Sequence, residues 1–160
     1  MRGVGGKIFG LGGQRLLACD LGGAVLTVTG TISVKDSVFE ENKTGTSGGG
    51  VFNTEGPVII TGSSFSSNEA ENGAAVGTGS GPITVSDSSF LNNHALVVGG
   101  ALYSDSGTID VKGCTLTGNT SDDTGGAIFT NLSTGNITVE DSTFKENVAT
   151  KSGGVIAAVN

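Results

Sequence analysis

The sequence has no tryptophan, two prolines, two cysteines and one histidine among 160 residues. Lysine and arginine total eight and never cluster. Each shortage closes off a class of function. Nucleic-acid binding needs a basic face to neutralise phosphates, and this chain carries a net charge of −7. Zinc sites and nucleophile–base triads need a histidine with partners, and nothing in the sequence supplies them to the lone His94. There is no run of about 18 apolar residues, so no transmembrane helix is expected. The opening stretch, MRGVGGKIFGLGGQRLLACDLGG, has an early Arg and a short Leu-Leu-Ala-Cys run, but Gly, Gln and Arg break any signal-peptide core. Residues 1–21 are therefore read as an irregular segment or a partial coil. Long helices are not expected either, because glycine and β-branched residues dominate and no stretch holds a 3.6-residue period.

What is abundant is glycine, with 29 residues, beside Ser, Thr and Asn and regularly spaced Val, Ile and Phe. Charged residues are only 14%, yet the hydrophobic share of 36% is enough for a core, so disorder is not implied. The spacing is that of an internal repeat. FEEN, FSSN, FLNN, LTGN and FKEN begin at Phe39, Phe65, Phe90, Leu116 and Phe144, at intervals of 26, 25, 26 and 28. Their asparagines are Asn42, Asn68, Asn93, Asn119 and Asn147. A second series, GGAV, GGGV, GAAV, GGAL, GGAI and GGVI, aligns on Gly23, Gly49, Ala74, Gly100, Gly126 and Gly154. From anchor to Phe is 16 residues in every unit but one; the exception, 18, places a two-residue insertion in the loop 131–136. Insertions confined to loops while anchors keep register are the mark of a solenoid.

The columns of this alignment predict strands. Seven residues before the Phe position stand Ile32, Val58, Ile83, Ile109 and Ile137; five before stand Val34, Ile60, Val85, Val111 and Val139. The column between them, Ser33, Ile59, Thr84, Asp110 and Thr138, is mostly polar. That is period two, with the first two columns inside and the third outside. Asp36, Gly62, Asp87, Gly113 and Asp141 form a turn column. Ser37, Ser63, Ser88, Cys114 and Ser142 form a small inward one. Each unit offers about three short strands that cannot bury their apolar sides alone. Stacked at about 4.8 Å, the units become a continuous core beside an asparagine ladder. The expected fold is an all-β, single-stranded parallel β-helix of about five to six coils over residues 22–160.

The paired GGA[I/L/V] and FxxN motifs resemble the repeats of the chlamydial polymorphic outer membrane proteins, which are right-handed, pectin-lyase-like β-helices. The resemblance covers about residues 22–160. It implies a right-handed helix and a surface-exposed or secreted rod with an adhesive role. Leu116 in place of Phe and Ala74 in place of Gly are small departures.

Catalytic chemistry is hard to place on these columns. Polysaccharide lyases and epimerases of β-helix type need acids and bases gathered in one groove. Asp36, Asp87 and Asp141 are separated by two coils each, about 9–10 Å, and read as turn formers. His94 is expected in an exposed turn. Asp122, Asp123, Glu69 and Glu71 lack the nonapeptide pattern of repeat calcium sites. Cys19 and Cys114 lie roughly 14–19 Å apart on the stacking distance. That exceeds the span of about 7 Å that a disulfide bridges, so two free thiols are expected. Of the sequons at Asn42, Asn119, Asn131 and Asn136, only Asn131 and Asn136 fall where a glycan has room. Phe52, Tyr103 and Phe129, three past the anchor, form a broken aromatic stripe that is either a partner surface or half-buried packing.

These readings favour a non-catalytic structural or adhesive rod, extracellular or on a cell surface, with no cofactor and no metal. VIAAVN follows the last anchor without a polar cap, so the chain is expected to be either a fragment of a longer rod or a subunit that binds a protein partner or associates with itself through uncapped coil ends. The alternative is a lyase- or epimerase-like enzyme acting on an acidic glycan.

Overall fold

The computed structural model describes residues 7–9, 23–131 and 136–159. Among them the backbone forms short strands and turns and no helix. Strand β1 (Lys7–Phe9) stands apart from the repeat. The first coil runs through β2 (Val25–Thr29), β3 (Ile32–Lys35) and β4 (Val38–Glu40). The second holds β5 (Val51–Glu55), β6 (Val58–Thr61), β7 (Ser64–Ser66) and β8 (Glu69–Asn72). The third holds β9 (Val76–Thr78), β10 (Ile83–Ser86), β11 (Ser89–Leu91) and β12 (His94–Val98). The fourth holds β13 (Leu102–Ser104), β14 (Ile109–Lys112), β15 (Thr115–Thr117) and β16 (Thr120–Ser121). The fifth holds β17 (Ile128–Asn131), β18 (Ile137–Glu140), β19 (Thr143–Lys145) and β20 (Val148–Ala149), after which β21 (Ile156–Val159) opens a further turn.

Stacked coils make four sheets, and every pairing between repeat strands is parallel. The register is the column alignment itself. Ile83 pairs with Val58 and Ile109, Phe90 with Phe65 and Leu116, and Leu102 with Val76 and Ile128. The molecule is an all-β parallel solenoid of about five turns with roughly 26 residues per turn. The expectation of three strands per coil is corrected to four. The fourth sheet, β8, β12, β16 and β20, is built from strands of two to five residues with small inward side chains such as Ala70, Ala95 and Ser121. Strands so short, with Ala and Ser as their inward residues, carry no apolar period to read.

The core is the stack of inward columns. Val58, Ile60, Phe65, Ile83, Phe90, Ile109 and Leu116 are wholly buried. Phe39, Phe65 and Phe90 lie face over face, with ring centroids 4.6 and 5.1 Å apart and planes 2° and 8° from parallel. Each such side chain contributes about 1.5–3 kcal/mol by leaving water, and it does so only because the coils above and below cover it.

The turns explain the alternating Asp/Gly column. Asp36, Gly62, Asp87, Gly113 and Asp141 all have positive φ, between 48° and 62°. A Cβ added at Gly113 would lie 2.7 Å from Asp87 Oδ1, and one at Gly62 2.5 Å from Asp36 Oδ1. Asp36 and Asp87 therefore fold over the turn of the next coil, which must be glycine to receive them. The alternation also keeps successive carboxylates two coils apart. The Gly-Gly pair has two separate causes. Gly48, Gly99 and Gly125 adopt φ near 70°. At the following positions, Gly49, Gly100 and Gly126, a Cβ would run into the backbone carbonyls of Ala74, Gly126 and Gly154 in the coil beyond. Ala74 occupies this position in the coil one residue shorter than its neighbours, where the β8–β12 pairing shifts register between Ala95 and Val98.

The two ends differ. At the first coil β1 pairs antiparallel with β4, Ile8 opposite Phe39. Within the stretch read as an irregular segment or a partial coil, the described residues Lys7–Phe9 thus form a strand. Val139 in the fifth coil is 38% exposed and Ile156 just beyond it 37%, although Val85 and Val76 in the same columns are buried.

Candidate functional site

The repeated asparagines are a buried hydrogen-bond ladder. Asn42, Asn68, Asn93 and Asn119 are 0–1% exposed and Asn147 8%. At each rung the backbone N–H and the side-chain Nδ2 both donate to Oδ1 of the asparagine one coil further on. The distances are 3.0 and 2.8 Å from Asn42 to Asn68, 3.0 and 2.9 Å from Asn68 to Asn93, 3.1 and 2.9 Å from Asn93 to Asn119, and 3.0 and 2.9 Å from Asn119 to Asn147. The second amide hydrogen of Asn68, Asn93, Asn119 and Asn147 goes back to the carbonyls of Phe39, Phe65, Phe90 and Leu116. The ladder has a direction, and Asn42 Oδ1, at its start, is buried without a partner. Such a network is stabilising only when every rung is filled.

A second ladder runs beside it, at positions the sequence marked only as small and inward. Ser37 N–H donates to Ser63 Oγ at 3.1 Å, Ser63 N–H to Ser88 Oγ at 3.0 Å, and Cys114 N–H to Ser142 Oγ at 3.0 Å. Each hydroxyl in turn donates to the carbonyl two residues before it, as in Ser88 to Ser86. Cys114 occupies one rung as a buried free thiol, 3.2 Å from the Lys112 carbonyl oxygen. Burial pushes its ionisation up, only partly offset by hydrogen bonding with the backbone of Ser88 and Lys112, which is the setting of an unreactive thiol. Cys19 lies outside the described residues.

The aromatic stripe is largely packed. Phe129 is 7% exposed, and Phe52 and Tyr103 are half-buried. Tyr103 and Phe129 stack at 6.1 Å, while Gly77 leaves a gap that Phe52 leans into. Burial first, then the neighbouring Asp105 carboxylate, pushes the Tyr103 phenol up to about 12. A sugar-stacking platform needs open ring faces. Only Phe52 and Tyr103 retain any.

The acids do not converge. Asp36, Asp87 and Asp141 sit in their separate turns. No cluster of three or more metal-ligating side chains occurs among the described residues. A shallow groove of about 220 Å³ on the outer face of β10, β14 and β18 is lined by Thr84, Asp110, Lys112, Thr138 and Glu140 among others. Its one cation, Lys112, is tied to Glu140 at 2.9 Å. That hydrogen bond, and then the charge of Glu140, hold the ammonium above its ordinary range. With Asp110 and Glu140 against one lysine the groove is net negative. His94 begins β12 rather than lying in a turn; its Nε2 is 3.1 Å from Asp122 Oδ1 in an exposed pair.

Among the sequons, Asn42 and Asn119 are spent in the ladder. Asn131, at the end of β17, donates to Asp105 Oδ1 at 2.6 Å, whereas Asn136 is exposed. Residues 132–135 of the loop that takes the insertion lie outside the described residues.

A family model described as "Right handed beta helix region" matches residues 19–159, and the chain belongs to that family. No curated protein and no solved structure matches it.

Proposed function

We propose that this right-handed β-helix is a non-catalytic structural rod, extracellular or on a cell surface, that binds other proteins along its sides or at its ends. The observation that carries the reading is where the repeated polar residues go. The asparagine and serine columns are bonded coil to coil inside the rod, and the aspartate column turns the chain. What remains outside is mixed in character, with no grouped acid, base and nucleophile among the described residues. The motifs shared with polymorphic outer membrane protein repeats support the adhesive and cell-surface part of the reading.

The test is a panel of acidic and neutral glycans, read by ultraviolet absorbance of unsaturated products and by reducing ends. No turnover is expected. Turnover abolished by Asp87→Ala would replace the rod reading with the lyase or epimerase alternative. Labelling of intact cells with a membrane-impermeant reagent tests placement; a chain labelled only after lysis would remove the cell-surface claim.

A further inference from the structure

Midway along the rod, the corner between the fourth sheet and the glycine anchors breaks its own pattern. Four coils are polar there: Gly45-Thr46-Ser47 in the first, Glu71-Asn72 in the second, Asp122-Asp123-Thr124 in the fourth and Thr150-Lys151-Ser152 in the fifth. The third coil has Leu96-Val97-Val98 instead. Leu96 is 45% exposed, and Val97 and Val98 are half-buried. Strands of the second and fourth coils lie on both sides, so this exposure is a property of the side of the rod and not of its ends. The backbone displays the apolar residues. Ala95 pairs with Ala70 and Val98 with Asn72, so Leu96 and Val97 stand against the single residue Glu71. That is a β-bulge, which bends a strand and re-aims its side chains. It arises because the second coil is one residue shorter at this corner. On the other side the N–H groups of Asp122 and Asp123 donate to the carbonyls of Ala95 and Val97, each at 3.0 Å. Both neighbours hold the backbone, and Leu96 is left in water.

The rim of this corner is acidic. Glu69 and Glu71 flank it in the second coil, Asp122 and Asp123 in the fourth. Lys43 pairs with Glu69 and Lys151 with Asp123, while Asp122 meets only His94, at 3.1 Å. Glu71 is exposed and has no ion pair among the described residues. Four carboxylates face two lysines, so with His94 neutral the rim is net negative. An apolar centre inside a charged rim is the anatomy of a protein contact.

We infer that the third-coil corner is a docking site for a protein segment that sets an apolar side chain between lysines or arginines. The apolar group covers Leu96 and Val97, and the cations meet Glu71 on one side and Asp122 on the other. The inference rests on the reading of the rod as a binder of other proteins, and adds the place and the chemistry of the partner. A second copy of this chain does not suit the site, because it would bring carboxylates against the same acidic rim. An anionic partner is repelled for the same reason.

The experiment is an amide NMR titration of the full chain with a short synthetic peptide of alternating lysine and leucine. Shifts are expected to centre on His94–Val98, Glu71 and Asp122. Leu96→Ser with Val97→Thr, residues of the kind the other coils carry, is expected to weaken binding about tenfold or more. Glu71→Gln with Asp122→Asn is expected to weaken it less and to flatten its salt dependence. Leu91→Ser, at a leucine equally exposed on another sheet, should leave the affinity unchanged. A lysine-only peptide of the same charge should bind about tenfold more weakly than the mixed one. Circular dichroism checks that each variant is folded; should the Leu96→Ser, Val97→Thr chain fail, Leu96→Lys alone is read the same way. No binding, shifts centred elsewhere, or a mixed peptide that binds the folded corner variant as tightly as the parent overturns the proposal. So does equal binding of the lysine-only peptide. Phosphatidylcholine vesicles that move these amides when the peptide does not would overturn it in favour of a lipid contact. A failed titration leaves the glycan and cell-surface tests of the rod reading where they stand, and glycan turnover would remove that reading whatever the peptide does.

Discussion

The third and fifth coils carry the same columns in different surroundings. Val85 in the third coil is 1% exposed and its counterpart Val139 is 38% exposed. Val76 is wholly buried, and Ile156, in the same column beyond the fifth coil, is 37% exposed. Chemistry and strand register hardly change between them, so the difference comes from having one neighbour instead of two. Stability in this molecule is a property of interfaces between coils, as in a one-dimensional array. The same substitution should therefore cost more in the middle than at the fifth coil, and this can be measured.

The largest contrast is expected in the ladder. Asn93→Ala removes the shared acceptor of the Asn68 N–H and Nδ2, and it strips the Phe65 carbonyl of its amide donor. Buried groups left unpaired cost about 1–3 kcal/mol each, which for these three puts the loss at about 3–9 kcal/mol. Asn147→Ala orphans the matching pair on Asn119, but at the open face, where water can substitute; about 1–2 kcal/mol is expected. Urea denaturation followed by circular dichroism checks both. Equal losses would mean that the fifth-coil face is covered in solution.

Next comes the phenylalanine stack. Phe90→Ala leaves a cavity beside Phe65 and should cost about 3–5 kcal/mol. Phe144 is only half-buried and lies against Leu116 on one side, so its truncation is expected to cost less than half as much. A larger loss at Phe144 than at Phe90 would contradict the neighbour argument.

How far this organisation was visible in the sequence follows from which forces leave a period. Ile83, Val85 and Phe90 recur in columns because each packs on its own kind, so the parallel stack and its register were readable. The fourth sheet was not, because two-residue strands such as Thr120–Ser121 carry no apolar alternation. The Asp/Gly alternation was visible as a pattern. Its cause, an Asp87 side chain lying over Gly113, is a contact between coils that no single repeat displays. Cys114 looked like a stray replacement in a serine column until that column proved to be a hydrogen-bond ladder. The burial of Phe129 depends on turns packed across it, and β1 lies outside the repeat altogether.

A smaller effect joins the fourth coil to the fifth. Tyr103, the only tyrosine, ionises at about 12 because it is buried beneath its neighbours and faces Asp105. Since the folded value lies above the ordinary value of about 10, the contribution to stability is complete below pH 10 and is lost as pH rises through 12. Phe129→Ala, in the fifth coil, uncovers the ring and should bring the phenolate transition at 295 nm back toward 10. A transition unmoved by Phe129→Ala would assign the shift to the fourth coil alone.

The smallest expected effect lies in two exposed ion pairs that also bridge these coils, Lys112 to Glu140 and Lys151 to Asp123, each at 2.9 Å. Pairs so open to water contribute little, but they titrate in opposite directions. A hydrogen bond from Lys151, and then one from Thr124, hold the Asp123 carboxyl below its ordinary range. Its contribution is present above the unfolded value of about 3.9 and fades as pH falls through the lower folded value. Lys112 is raised by Glu140, so its contribution is present below about 10.4 and fades as pH rises through the folded value. The fifth coil should thus be held best between these limits, whereas the third, with coils on both sides, should respond less. Hydrogen exchange compares them directly, as the protection of Ile137–Glu140 relative to Ile83–Ser86. The ratio is expected to fall slightly in acid, in strong base and in high salt. A ratio independent of all three would mean that backbone and apolar contacts alone bind the fifth coil to the fourth.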